Sequence, residues 1–312
     1  MTSQVMVCLC EFLYDGRMNA INATTPTPAA RAHRGTPHRP LAPALGERTP
    51  APFGQRLRYW REHRRLSQLD LAADADISTR HLSFVETGKS MPSREMVLRL
   101  SERLDIPLRE RNAMLVAAGF APMYRQHAFD DPALQAAREA VERVLKGHEP
   151  YPALAVDRHW NLVAANAVVP LLMAGADAAL LQAPVNVLRL SLHPQGLAPQ
   201  IANLAQWRAH LFERLQQQIA ATGDTQLAAL LEELQAYPAP AGADAAALDG
   251  EHPGIVVPFR FRSAAGVLNF ISTTTVFGSP VDVTLQELAV ESFFPADTAT
   301  AEVLRALVQP QT

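Results

Sequence analysis

The chain has 312 residues, 48% of them hydrophobic and 19% charged, which suits two folded domains and a tail better than one small domain. No apolar run approaches the ~20 residues needed to span a bilayer. The two cysteines, Cys8 and Cys10, stand one residue apart near the start, forming neither a disulfide framework nor a metal site, so a reducing cytoplasm is the expected compartment.

The net charge of −3 conceals a partition. Residues 53–125 carry thirteen Lys and Arg against nine acids, whereas residues 126–312 carry ten against nineteen. A basic module joined to an acidic one points to a polyanion as partner of the first alone.

No basic residue precedes the brief apolar patch in MTSQVMVCLC, so no signal peptide is read there, and Met18 is an alternative start. Residues 19–52, rich in Pro, Ala, Thr and Arg without an apolar period, are expected to be a disordered tail, making 1–52 one unit.

From Phe53 to Gly119 the pattern is helical throughout. Phe53, Leu57 and Trp60 make one stripe. Ser67 with Asp70 three residues later has the form of a capping box, and Leu69, Leu71 and Ala72 are expected to face inward. Ala75-Asp76 breaks that helix. Ser78 caps the next, with Leu82 and Val85 as its buried side and Gly88 as its stop. Pro92-Ser93 opens a fourth helix with a Met96, Val97, Leu100, Leu104 stripe, and RERNAMLVAAGF forms a fifth.

A linker follows through Asp130-Asp131-Pro132, then an amphipathic helix from Ala133 to Lys146. Pro152–Val156 and Trp160–Ala165 read as short strands around an Asp157-Arg158-His159 turn, with Asn166 capping a helix. Ile201, Leu204, Trp207, Leu211 and Leu215 keep a helical period, and Thr222-Gly223-Asp224 separates a second helix. Residues 237–254 read as a loop. Val257, Phe259 and Phe261 begin a hairpin that turns at Ala264-Ala265-Gly266, and Val283–Glu291 is expected to be a fifth strand. Ala299–Val308 is helical. This half is α+β with an antiparallel sheet.

The stretch SQLDLAADADISTRHLSFVETGKSMPS, Ser67 to Ser93, sets two short helices at a tight turn. The major groove of B-DNA admits one helix, so a reading helix must protrude while another braces it. Ala72 and Ala73 are small where the helices must approach. Capping at Ser78 leaves Thr79, Arg80 and Ser83 outward near the helix start, where Arg can reach guanine O6 and N7 and Thr can meet a base edge. Gln68 can join the backbone amides of the first helix in holding a phosphate, and Lys89 and Arg94 bracket the next loop on a backbone path. His81 has two readings: a base-edge donor, or a packing group against the fourth helix.

Residues 53–119 resemble the XRE (Cro/C1-type) helix-turn-helix family, through S-Q-x-x-L-A at Ser67–Ala72, Ile77-Ser78, and V-E-x-G at Val85–Gly88. The resemblance implies a five-helix bundle whose third helix reads DNA, with base-facing positions at Thr79, Arg80 and Phe84, Ser83 beside them, and backbone contacts at Gln68, Lys89 and Arg94. Phe84 in such a place either stacks on a thymine methyl or is buried. The family often has Gly in the turn where this chain has Ala75.

R-L-S-L-H-P-x-G-L at Arg189–Leu197, S-T-T-T-V-F-G at Ser272–Gly278 and E-S-F-F-P-A-D at Glu291–Asp297 resemble regulators with a MmyB-like C-terminal domain. That resemblance implies a PAS-like sensor over 133–312 beside a helix-turn-helix domain over 53–125, with a small, largely apolar ligand such as a fatty acid. Arg189 and His193, four residues apart, either share a face toward a ligand carboxylate or tie a loop. Trp160, Phe259, Phe261 and Phe270 are sheet-face core, and with Asn166 they are the candidate lining of a cavity.

No H-E-x-x-H, Walker loop or G-x-G-x-x-G occurs, and no cysteine falls in the folded part, so an enzyme is not expected. The resulting expectation is a cytoplasmic, homodimeric regulator on a double-stranded DNA operator, with a small apolar ligand and neither cofactor nor metal. The rival is a constitutive DNA-binding regulator whose acidic half only assembles oligomers.

Overall fold

A computed structural model describes residues 51–238, 257–278 and 282–308. The expectations for the tail, for Met18 and for most of the 237–254 loop lie outside these residues.

Five helices form the first unit: α1 (Phe53–His63), α2 (Gln68–Asp74), α3 (Thr79–Glu86), α4 (Arg94–Arg103) and α5 (Leu108–Ala117). Ser67, Ser78 and Ser93 each accept from the backbone amide three residues on, giving α2, α3 and α4 side-chain caps, and Ser67 with Asp70 completes the capping box. The Ser67 hydroxyl and amide hold the Asp70 carboxyl below its usual range. Leu57, Leu71, Leu82, Leu100 and Leu115 meet in one fully buried core.

Leu69 departs from expectation and is 67% exposed. It lies two residues from Leu71, about 200° round the helix, so the inward face of α2 belongs to Leu71, Ala72 and Ala75 instead. The helix-turn-helix turn also explains Ala75. Its φ of −92° is an ordinary one, and the left-handed position is taken by Asp76 at φ 53°, a residue type that tolerates it.

The second unit contains α6 (Gln135–Gly147), β1 (Ala153–Val156), β2 (Leu162–Ala165), α7 (Val169–Met173), α8 (Val187–Leu192), α9 (Leu204–Thr222), α10 (Thr225–Ala236), β3 (Phe259–Ser263), β4 (Gly266–Val276), α11 (Val283–Gln286), β5 (Ala289–Pro295) and α12 (Thr298–Val308). The five strands form one antiparallel sheet in the order β2-β1-β5-β4-β3. The fold is thus a helical bundle followed by a PAS-like α+β domain.

β1 is covered on both faces, which is why Ala153-Leu154-Ala155-Val156 is apolar without interruption. Ala153 and Ala155 pack under Val141 and Leu145 of α6, while Val156 joins the larger core with Phe259, Phe261 and Phe270.

Among the boundaries that differ from expectation, two have a local side-chain cause. The fifth strand begins at Ala289, because Asp282 caps Thr284 and starts the short helix α11. β2 begins at Leu162 because Asp157 accepts from the amides of His159 and Asn161, each at 2.8 Å, closing a turn that leaves Trp160 at φ 66°.

The two units touch along several elements. Arg109 of α5 forks the Glu287 carboxylate at 2.7 and 2.8 Å. Gln286 accepts from the Leu108 amide at 3.1 Å. At the far end of α1, His63 meets the Ala220 carbonyl, and Arg64 donates to Ala220 and Ala221 at 3.3 and 3.1 Å. Those carbonyls close α9, where partial negative charge collects, so basic side chains are the fitting partners.

Candidate functional site

Helix α3 is held from behind by one buried ion pair. Arg61 forks the Glu86 carboxylate at 2.6 and 3.1 Å, with side chains 10% and 2% exposed. Gln68 donates to the same carboxylate at 2.7 Å. One carboxylate therefore ties α1, α2 and α3 in fixed directions, and the Glu86 hydrogen bond raises the Arg61 pKa despite burial. Gly54 completes the fit: a Cβ there would run into the carbonyl oxygens of Val85 and Glu86, so only glycine lets α1 cross α3 so closely.

The outward face of α3 carries the expected residues. Arg80 is exposed, and Thr79, His81, Ser83 and Phe84 are half-buried. The Arg80 guanidinium lies 5.4 Å over the Phe84 ring, and the Lys89 ammonium lies 5.8 Å over the same ring. Phe84 is therefore a platform for two cations, a role its sequence position did not suggest. Lys89 is exposed just after Gly88, whose φ of 73° ends the helix, and Arg94 is exposed on the first turn of α4. Gln68 is placed differently from expectation: its amide nitrogen is directed to Glu86 rather than outward.

In the second unit a cavity of about 110 Å³ lies between the sheet and helices α7 to α9. Trp160, Phe259, Phe261 and Phe270 line it together, as expected. Asn166 is not part of its lining. Buried, it accepts from the Ala153 amide and donates to the Leu145 and Tyr151 carbonyls, splicing α6 to β1. Its side-chain oxygen also accepts from the Val168 amide at 3.4 Å, on the turn that enters α7, although Val168 rather than Asn166 stands at the N-cap position. Arg189 and His193 also stand apart from the cavity. Arg189 forks Glu233 at 2.7 Å through both nitrogens, and the His193 ring meets Tyr237 edge-on at 5.0 Å. The contacts present join α8 to α10 and to Tyr237 just after it.

Sequence reasoning missed the polar end of the cavity. Arg214 of α9 and Glu291 of β5 both line it. Arg214 forks Glu291 at 2.7 and 3.1 Å and donates to the Thr274 hydroxyl at 2.7 Å. Its guanidinium stacks 4.7 Å from the Trp160 ring, and Gln218 accepts from the Trp160 indole at 2.9 Å. A signal was available: Arg214 falls on the Trp207, Leu211, Leu215 stripe, where a charge has no reason to be unless something buried answers it. One turn earlier on α9, burial and then Arg214 push the His210 pKa down, favouring its neutral form.

Among the described residues no cluster of three or more His, Cys, Asp and Glu side chains is placed to hold a metal ion. No helix among them is long and apolar enough to cross a membrane.

Comparison with known families agrees with this geometry. Residues 57–111 match the helix-turn-helix family, and residues 137–307 match the MmyB-like transcription regulator ligand binding domain. No curated protein matches the chain. The second match spans 171 of 312 residues, more than half, and its limits enclose the whole sheet and the cavity. With a helix-turn-helix presenting Arg80 and Lys89 at one end and that domain at the other, the chain belongs to the MmyB-like transcription regulators and is a DNA-binding protein.

Proposed function

We propose that the protein binds an operator as a homodimer and that a small, largely apolar ligand, of the kind a fatty acid presents, sets its affinity. Operator reading is assigned to residues 53–125, with Thr79, Arg80, Ser83 and Phe84 toward base edges and Lys89 and Arg94 toward phosphates. Sensing and pairing are assigned to 133–312.

One observation carries the reading: α9 reaches both the cavity and the bundle. Trp207 and Leu211 of α9 line the cavity, and the carbonyls at its end take His63 and Arg64 of α1, the helix packed on α3 at Gly54. A ligand that prefers one position of α9 shifts the population of bundle orientations, and hence the spacing of two half-sites. The cavity, at about 110 Å³, is smaller than the ~150 Å³ that admits benzene in an engineered core, so a short alkyl chain fits more readily than a long one. A long chain needs Leu172 or Met173, both in the wall, to move.

The test is to select an operator from random duplexes with the full chain, then titrate it at fixed salt with and without saturating octanoate. The expected change in Kd is about tenfold or more, a coupling of about 1.4 kcal/mol. Equal affinities would leave the rival reading, constitutive DNA binding with a C-terminal half that only assembles oligomers.

A further inference from the structure

The pair Arg214–Glu291 is unusual in its setting. Glu291 faces the cavity from the middle of β5 with a side chain only 5% exposed, between Val290 and Ser292, which are also buried. A buried ion pair is at best a weak source of stability, because desolvating two charges offsets their attraction. An apolar residue would complete the wall as well.

The pair also sits at a seam. Trp160 and Arg214 line both the apolar cavity and a second chamber of about 270 Å³, whose walls include Arg158, Gln218 and Glu287. The first space is apolar except at Arg214, Glu291 and Ser191, and the second is mainly polar. An amphipathic molecule with its chain in one and its head toward the other would place that head on the Arg214 guanidinium. In the second chamber Arg158 stands 3.6 Å from Asp224 and 3.8 Å from Glu287, beyond hydrogen-bond reach of both.

We propose that Arg214 anchors the carboxylate of an alkyl carboxylate ligand, and that Glu291 is the chain's own carboxylate, which the ligand must displace. This rests on reading the cavity as a site for a fatty-acid-like ligand, and adds the residue that holds the head group and the internal competitor for it. A planar guanidinium forks any carboxylate with the same geometry, so a ligand and Glu291 compete for one pair of donors. Thr274 remains to Glu291, its hydroxyl 2.9 Å from the carboxylate.

The competition gives two variants of opposite sign. Binding of octanoate and of 1-octanol to the full chain is followed by calorimetry and by the fluorescence of Trp160 and Trp207, with near-ultraviolet circular dichroism to verify the fold. Glu291→Gln removes the competitor's charge but keeps Arg214 hydrogen-bonded. It should tighten octanoate about tenfold while moving 1-octanol less than about twofold. Arg214→Met should weaken octanoate about tenfold and spare 1-octanol. If Glu291→Gln shifts both ligands equally, or fails to tighten octanoate, the anchor assignment is wrong while the cavity reading survives. If the natural chain binds neither compound, the cavity reading falls and the anchor with it.

Discussion

Arg109 and Glu287, 178 residues apart, form a two-bond fork at 2.7 and 2.8 Å that joins helix α5 of the bundle to the turn before β5. Glu287 also lies in the wall of the chamber beside Arg214, so the fork brings α5 of the bundle to the rim of that chamber. Glu287→Gln keeps the shape but removes the charge. Partly exposed pairs contribute at most about 1 kcal/mol, so the docked arrangement should weaken up to about fivefold. Faster hydrogen exchange at α5 amides, with unchanged exchange in β1, is the expected result.

Arg80 and Lys89 share the Phe84 ring but should differ in what they read. Arg80→Ala should cost about 1–3 kcal/mol at one base position and relax selectivity there. Lys89→Ala should weaken all duplexes alike and lower the salt slope by about one. Binding measured on a panel of single-base operator variants separates the two patterns.

Glu86 answers two side chains, Arg61 and Gln68, with one carboxylate. Glu86→Ala leaves the buried Arg61 guanidinium with only the exposed Glu62 carboxylate, 3.6 Å away, to answer it, and should cost about 3 kcal/mol in urea denaturation. Gln68→Ala, which removes one donor and leaves the ion pair, should cost about 1 kcal/mol.

Gly54→Ala adds a single methyl where the carbonyls of Val85 and Glu86 already stand. Backbone cannot step aside as a flexible side chain can. A loss of about 1–3 kcal/mol is expected, with operator affinity falling further because α3 is the element displaced.

Tyr237 donates to Glu233 at 2.8 Å, and burial, with that hydrogen bond, pushes its phenol up to about 12 from 10.0. The folded state therefore favours the protonated phenol. Its contribution is intact below pH 10.0, where the unfolded phenol is also protonated, and is lost as pH rises to about 12. Alkaline unfolding of the natural chain should steepen across that window, and Tyr237→Phe should remove that part of the slope.

Local chemistry was legible where a short stretch carries it whole. Serine at three helix starts and the Ser67–Asp70 box act within a few residues, and the structure has each of them. Partners far apart in the chain were not legible. Arg189 looked available because Glu233 lies 44 positions away, and Asn166 looked like a cap because the Leu145 and Tyr151 carbonyls it serves come from the preceding helix and its exit. Arg214 and Glu291 went unread for the same reason: 77 residues separate them, and only the closing of β5 onto β1 and β4 brings them to one cavity. Phe259, Phe261 and Phe270 of the lining were found because alternation in a strand assigns a face without needing a partner.

Helix α9 runs unbroken for 19 residues, about 28 Å, with no proline or glycine inside it. Arg214 and Ala220 are six residues, about 9 Å, apart on that rod. Under the proposed ligand control, a rod without a joint would carry a small axial slide at the guanidinium to His63 and Arg64 almost undiminished. One extra residue spliced directly after Ile219 would turn the far end by about 100° and aim its carbonyls away from α1, while Gln218 keeps its hold on the Trp160 indole.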